Sequence, residues 1–129
     1  MKRLKRIMLV DDDHNTNFFN KLMLTRNDVT EEIVAFENPI EGLEYLKAGE
    51  EQVDLLFLDI NMPVMDGWEF LENYEILEQT GGKNLVVVML STSLNPEDIE
   101  RAHQSRTVVK YVNKPLDHMT IQEVMNVFD

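Results

Sequence analysis

The chain has no cysteine, so it must hold its fold without disulfides, which suits a reducing cytoplasm. Long apolar runs are also missing. The basic start, Met1 to Arg6, is followed by only four apolar residues, Ile7–Val10, before three aspartates. A secretory segment needs an apolar stretch of roughly 7–15 residues, and nothing elsewhere approaches a membrane span. These absences predict a soluble, cytoplasmic protein. Basic residues are few: 12 Lys+Arg stand against 24 Asp+Glu, a net charge of −12. Such a surface repels nucleic acid and anionic membranes, which argues against direct DNA binding. No internal repeat, linker or low-complexity segment occurs. The only glycine pair, Gly81-Gly82, reads as the loop ending a third helix.

What is present fits one compact domain over residues 1–129. The chain is 43% hydrophobic and 28% charged, enough to bury a core at this length. Five short apolar runs read as strands: Ile7–Val10, Ile33–Phe36, Leu55–Leu58, Leu85–Leu90 and Val108–Val112. The first, third and fourth lack alternation, as parallel strands buried on both faces do. Helical signatures lie between the runs. Asn38-Pro39-Ile40-Glu41 and Asn95-Pro96-Glu97-Asp98 each join a cap residue to a proline at the first helical position. Asp66-Gly67 precedes Phe70, Leu71, Tyr74 and Leu77 on one face. Asp117 opens a last helix with Ile121, Val124, Met125 and Phe128 at helical spacing. A first helix over roughly Asn15–Arg26 carries Phe18, Phe19, Leu22 and Met23 as its apolar residues. The fourth, with mainly Ile99 and Ala102, is the least apolar and is expected to be the most loosely held. Alternating strands and helices predict a doubly wound α/β domain with helices on both faces of a parallel sheet.

Ligands of such sheets bind at the carboxyl ends of the strands. Those ends carry Asp11-Asp12-Asp13 after the first strand, Asp59 after the third, Ser91-Thr92 after the fourth and Lys114-Pro115 after the fifth. Each piece alone has an ordinary explanation, as a solvated loop or a helix cap. Their convergence on one edge is what points to chemistry. Carboxylates gathered there repel one another unless their pKa values rise or a cation sits among them. An all-oxygen, partly open site suits Mg²⁺. Carboxylate, divalent cation, hydroxyl and ammonium together suit phosphoryl transfer, in which one carboxylate attacks phosphorus in line.

Four segments carry a family resemblance across essentially the whole chain: Ile7–Asp12, Leu58–Gly67, Met89–Thr92 and Tyr111–Pro115. They resemble the receiver domain of two-component response regulators, in particular the stand-alone chemotaxis type. The resemblance implies a flavodoxin-like three-layer fold with strand order 2-1-3-4-5. It implies that Asp59 is phosphorylated by a histidine kinase or histidine phosphotransfer protein. Asp12 and Asp59 would ligate Mg²⁺ through their side chains and Asn61 through its backbone carbonyl, with Asp11 acting mainly through water. Ser91 matches the switch hydroxyl, Lys114 the lysine that pairs with the phosphoryl group, and Tyr111 the aromatic switch position. Tyr111 can equally be an ordinary residue packed at the sheet edge. The Lys114–Pro115 bond is expected to be cis. Asp13 reads as a helix cap rather than a metal ligand. Asn61 and Ser93 fall on the two positions that tune spontaneous dephosphorylation, and neither is charged. Output is expected through the fourth helix, fifth strand and fifth helix toward a protein partner. A phosphate relay or sink, and homodimerisation, stay open.

Two other readings compete. Asp11 or Asp13 as the nucleophile would make the chain a small Mg²⁺-dependent aspartyl phosphohydrolase of the haloacid-dehalogenase type. The same fold could hold a flavin, but Asp11–Asp13 would repel its phosphate.

Overall fold

The computed structural model describes residues 3–78, 85–92 and 95–129, with Leu77 and Glu78 described by their backbone alone. The Gly81-Gly82 loop and Ser93 lie outside the described residues. In chain order the elements are β1 Leu4–Val10, α1 His14–Asn27, β2 Thr30–Phe36, α2 Pro39–Ala48, β3 Leu55–Asp59, α3 Gly67–Glu78, β4 Val86–Ser91, α4 Pro96–Gln104, β5 Val108–Asn113 and α5 His118–Met125. A 3-10 turn over Asn126–Phe128 follows. The strands form one parallel sheet in the order 2-1-3-4-5, with a register irregularity between β4 and β5 at Val87/Val88.

The apolar runs without alternation are the interior strands. Ile7–Val10, Leu55–Leu58 and Val87–Leu90 are almost fully buried, while the edge strands β2 and β5 mix buried with exposed positions. Side chains alternate across each strand and so divide the core in two. Met8, Val10, Leu56, Leu58, Val87 and Met89 pack with Trp68, Phe70, Leu71 and Ala102 from α3 and α4, with Leu43 and Leu46 of α2 alongside. Ile7, Leu9, Leu55, Phe57, Val88 and Leu90 pack with Leu24 of α1 and with Ile121, Val124 and Met125 of α5. Each fully buried aliphatic or aromatic side chain contributes about 1.5–3 kcal/mol, so these two layers hold the molecule together.

The helices begin where side chains satisfy their first N–H groups. Asp13 accepts from Asn15 N–H, Asn38 from Ile40 and Glu41, Asn95 from Glu97, and Asp117 from Thr120. At α3 the arrangement is reciprocal: Asp66 accepts from Glu69 N–H at 2.9 Å, and Asp66 N–H donates to the Glu69 carboxylate at 3.2 Å.

Helix α1 turns only part of its apolar set inward: Met23 is partly buried against the core and Leu24 fully. Phe18 is 66% exposed, Phe19 and Leu22 are each 39% exposed, and the buried residues are Asn17, Asn20 and Leu24. The inward face of α1 lies over strand ends whose carbonyls need hydrogen-bond donors. The Asn17 carboxamide meets that need and a phenylalanine would not.

Candidate functional site

Five of the seven buried polar or charged side chains among the described residues belong to the carboxyl edge of the sheet: Asp11, Asn17, Asn20, Asp59 and Ser91. Buried polar groups are costly unless paired, so their concentration at one edge marks it as a site.

β1 and β3 are neighbours, so their ends bring two acids side by side. Lys114 Nζ lies 2.7 Å from Asp11 Oδ2 and 3.0 Å from Asp59 Oδ1. Asp12 completes the cluster: one carboxylate oxygen from each of Asp11, Asp12 and Asp59 lies within 4.8 Å of the others. Asp11 and Asp59 are buried, whereas Asp12 faces solvent. Asp11 Oδ1 accepts from Asp13 N–H at 2.9 Å, while its buried Oδ2 makes the ionic contact with Lys114 but no hydrogen bond of good geometry.

The chain delivers these groups by short connections. Lys114 N–H donates to the Ser91 carbonyl at 2.8 Å, and the Lys114–Pro115 bond is cis. Ser91 is fully buried at the end of β4, one residue beyond the partner of Asp59. After Asp59 the chain turns back sharply: Gly67 N–H donates to the Ile60 carbonyl at 2.8 Å. A Cβ at Gly67 would lie 2.6 Å from the Asp59 carbonyl oxygen and 2.9 Å from Ile60 Cα, so only glycine lets α3 start this close to Asp59. Within the turn Met65 N–H donates to the Pro63 carbonyl, with the exposed Val64 at φ 72° between them. This is the rarer, strained hand of a three-residue turn.

Burial pushes the Asp59 carboxyl up to about 6, and the nearby Asp11 and Asp12 reinforce this against the opposing pull of Lys114. Burial disfavours the Lys114 ammonium, yet its bonds to Asp11 and Asp59 outweigh burial and raise its pKa. Asp13 is held below the usual carboxylate range by Asn15 N–H and the Thr16 hydroxyl. It is a helix cap, as the sequence suggests.

A divalent cation fits this donor set. Three carboxylates against one ammonium leave two negative charges uncompensated, all donors are oxygens, and Asp12 opens the cluster to solvent. Asn61 is exposed in the loop just beyond β3. Tyr111 is half-buried on β5, in register with Met89, and lines a shallow groove of about 150 Å³ with Ile99, His103 and Val109. The groove joins it to α4.

The response regulator receiver domain family matches residues 7–126. The chain belongs to this family. A chemotaxis protein CheY from Treponema pallidum is 33% identical over 118 residues, which cover 92% of this chain and 78% of that protein. A two-component response regulator structure from Cytophaga hutchinsonii superposes with a TM-score of 0.88 at 30% identity, covering 98% of this chain and 97% of that one. The transcriptional regulatory protein FlgR of Helicobacter pylori is 33% identical over 128 residues. This chain spans only 32% of that protein's length, and less of the next two curated relatives.

The receiver domain is a signalling module, and membership in it does not favour the phosphohydrolase. Asp13 is engaged as a helix cap, accepting from Asn15 N–H. Among the described residues no helix is long and apolar enough to cross a membrane.

Two buried residues were invisible to the sequence reading. Asn17 Nδ2 donates to the Asp11 carbonyl at 2.9 Å and to the Phe36 carbonyl at 3.3 Å, and Asn20 Oδ1 accepts from Leu116 N–H at 3.4 Å. The available signal was two asparagines three residues apart on a helix following an acidic strand end.

Proposed function

We propose that Asp59 of this receiver domain accepts a phosphoryl group from a phosphohistidine on a sensor kinase or phosphotransfer protein, in the cytoplasm. The observation that carries this reading is Lys114 Nζ bridging Asp11 and Asp59, with Asp12 beside them. Asp12, Asp59 and the Asn61 backbone carbonyl would hold Mg²⁺, with Asp11 acting through water. Bound there, the ion supplies positive charge to the oxygens of the transferring group. A carboxylate oxygen of Asp59 attacks phosphorus in line, an O–P bond forms, and the N–P bond to the donor imidazole breaks. Lys114 turns from the Asp59 carboxylate to the new phosphoryl oxygens, and Ser91 donates its hydroxyl to them. The domain thereby assists both its own phosphorylation and the later hydrolysis.

The donor meets the site beside α1. Phe18, Phe19 and Leu22 are exposed there, and a groove of about 340 Å³ lined by Asn15, Thr16, Phe19, Thr92, Lys114 and Pro115 leads to the lysine. Output passes through α4, β5 and α5 to a protein partner. Tyr111 and the exposed Val109 on that face support this direction.

The test is incubation with Mg²⁺ and a small acyl phosphate, followed by intact mass and site mapping. A single acyl phosphate on Asp59, lost in Asp59→Ala while the variant stays folded, is the expected result. A phosphoryl group mapped to Asp11 would instead restore the hydrolase reading.

A further inference from the structure

The inward face of α1 is polar where it crosses the site. Asn17, Asn20 and Leu24 share that face, and both asparagines are at least 95% buried. Asn17 donates both to Asp11 and to Phe36, whose carbonyl also receives Asp11 N–H at 3.1 Å. It therefore ties the ends of β1 and β2 together at the residue whose carboxylate meets Lys114. Asn20, one turn on, accepts from Leu116, two residues beyond Lys114. One helix thus touches the backbone on the acidic side of the cluster and on the lysine side.

Packing alone does not account for these choices. Asn17 Oδ1 is buried with no hydrogen-bond partner, a cost that an apolar residue would avoid. The same helix leaves Phe18 and Leu22 facing water. What the carboxamide at position 17 supplies, and an apolar side chain cannot, is an N–H pair aimed at two strand-end carbonyls.

We infer that α1 is a brace across the site and that Asn17 and Asn20 are positioning residues. Asn17, acting as a donor, sets the Asp11 backbone so that its carboxylate stands in the acidic cluster. Asn20, acting as an acceptor, sets the Lys114–Leu116 segment so that Nζ reaches Asp11 and Asp59 together. Neither touches the reacting atoms. The inference rests on the phosphoacceptor reading for its consequence in phosphorylation, but its effect on cation binding can be measured separately.

Because one residue acts as a donor and the other as an acceptor, aspartate has opposite effects at the two positions. The full chain is compared with Asn17→Leu, Asn17→Asp, Asn20→Leu and Asn20→Asp. The readouts are Mg²⁺ affinity by calorimetric titration, the rate of phosphorylation by a small acyl phosphate at saturating Mg²⁺, and the melting temperature. Both substitutions at Asn17 are expected to weaken Mg²⁺ about tenfold, the scale of supporting-shell changes at metal sites. Asn20→Leu is expected to slow phosphorylation about tenfold at saturating Mg²⁺ through misplacement of the lysine. Asn20→Asp keeps the acceptor and stays within about twofold of the wild type. A purely structural role predicts the reverse, with leucine tolerated at both positions. Wild-type Mg²⁺ affinity in Asn17→Leu, or Asn20→Asp no better than Asn20→Leu, overturns the brace. If Asn17→Leu does not fold, Asn17→Ser, too short to reach both carbonyls, carries the same expectation. A wild-type protein that takes no phosphoryl group at Asp59 sinks the phosphoacceptor reading instead, while the Mg²⁺ titrations still decide the role of Asn17.

Discussion

Asp59 is folded into a place that opposes its charge. Its side chain is nearly inaccessible, two other acids stand beside it, and its pKa is raised to about 6. A carboxyl raised by folding favours the native state when protonated. Its stabilising contribution is complete below about pH 4 and is lost as the pH climbs through about 6. At about 1.4 kcal/mol per pH unit, the ionised group costs at most about 3 kcal/mol at neutral pH. Asp59→Asn removes that cost. In chelator, the variant should melt with the wild type near pH 4 and several degrees above it at pH 7.5, with the gap opening through pH 6. Melts across this range check the prediction, and a variant less stable at pH 7.5 contradicts it. A second cost sits nearby. Val64 is β-branched, 86% exposed and held at φ 72°, a backbone region that suits glycine or asparagine. Val64→Gly should stabilise the domain by about 1 kcal/mol in denaturant titration, with the same slope. The two positions differ in legibility. Asp59 was readable because an acid ending an apolar run has a fixed place in a parallel sheet. Nothing in a valine announces a positive φ.

At the level of elements, strand assignment was the easy part. Interior strands must be apolar on both faces, and Ile7–Val10 and Leu55–Leu58 have no other good explanation. Caps were equally readable, because Asn38, Asn95 and Asp117 each precede a helix whose first N–H groups need acceptors. Helix α1 was legible but its inward face was not, because an amphipathic pattern presumes an apolar destination, and here Asn17 and Asn20 meet backbone polar groups. Helix α4 was read from its own residues, which are as poor in apolar contacts as expected: only Ala102 is buried. What its sequence could not reveal is a polar clamp from α3. Trp68 donates its indole N–H to Asp98 at 2.9 Å, and the Arg101 guanidinium lies 4.6 Å from the ring centroid while also meeting Glu72 at 2.8 Å. Trp68 follows Gly67, so the clamp starts from the turn packed on Asp59. Trp68→Phe keeps an aromatic ring under Arg101 and deletes the N–H donor. Losing one hydrogen bond to a charged acceptor and part of the cation–π contact amounts to about 1.5–3 kcal/mol. Amide exchange across Pro96–Gln104 should then accelerate by about tenfold or more, while the β1 and β3 amides stay close to wild type. Unchanged exchange in α4 would show that β5 alone holds it.

For the whole molecule, α1 stands out by its lack of acids and its exposed apolar residues. The chain carries a net charge of −12, yet α1 has Lys21 and Arg26 and no acid at all. The same helix exposes Phe18, Phe19 and Leu22, and Phe19 lines a groove with the half-buried Lys114 of the acidic edge. An acidic body repels anionic surfaces generally, while a neutral-to-basic apolar helix next to the reacting group offers a partner one place to bind. Two donors of different size separate binding from chemistry. On the proposed function a small acyl phosphate needs only the cluster and Lys114, whereas a protein phosphohistidine would also cover α1. Phe18→Asp puts a charge on the most exposed aromatic of that face without touching the buried Asn17 and Asn20. It should slow transfer from a protein phosphodonor by about tenfold or more, as loss of an aromatic anchor does. Phosphorylation by the small donor should stay within about twofold, and the melting temperature should hardly move. Equal slowing with both donors would mean that Phe18 acts on the site itself. No slowing with either would mean that the partner approaches over a different face, leaving the exposed aromatics of α1 without a role in transfer.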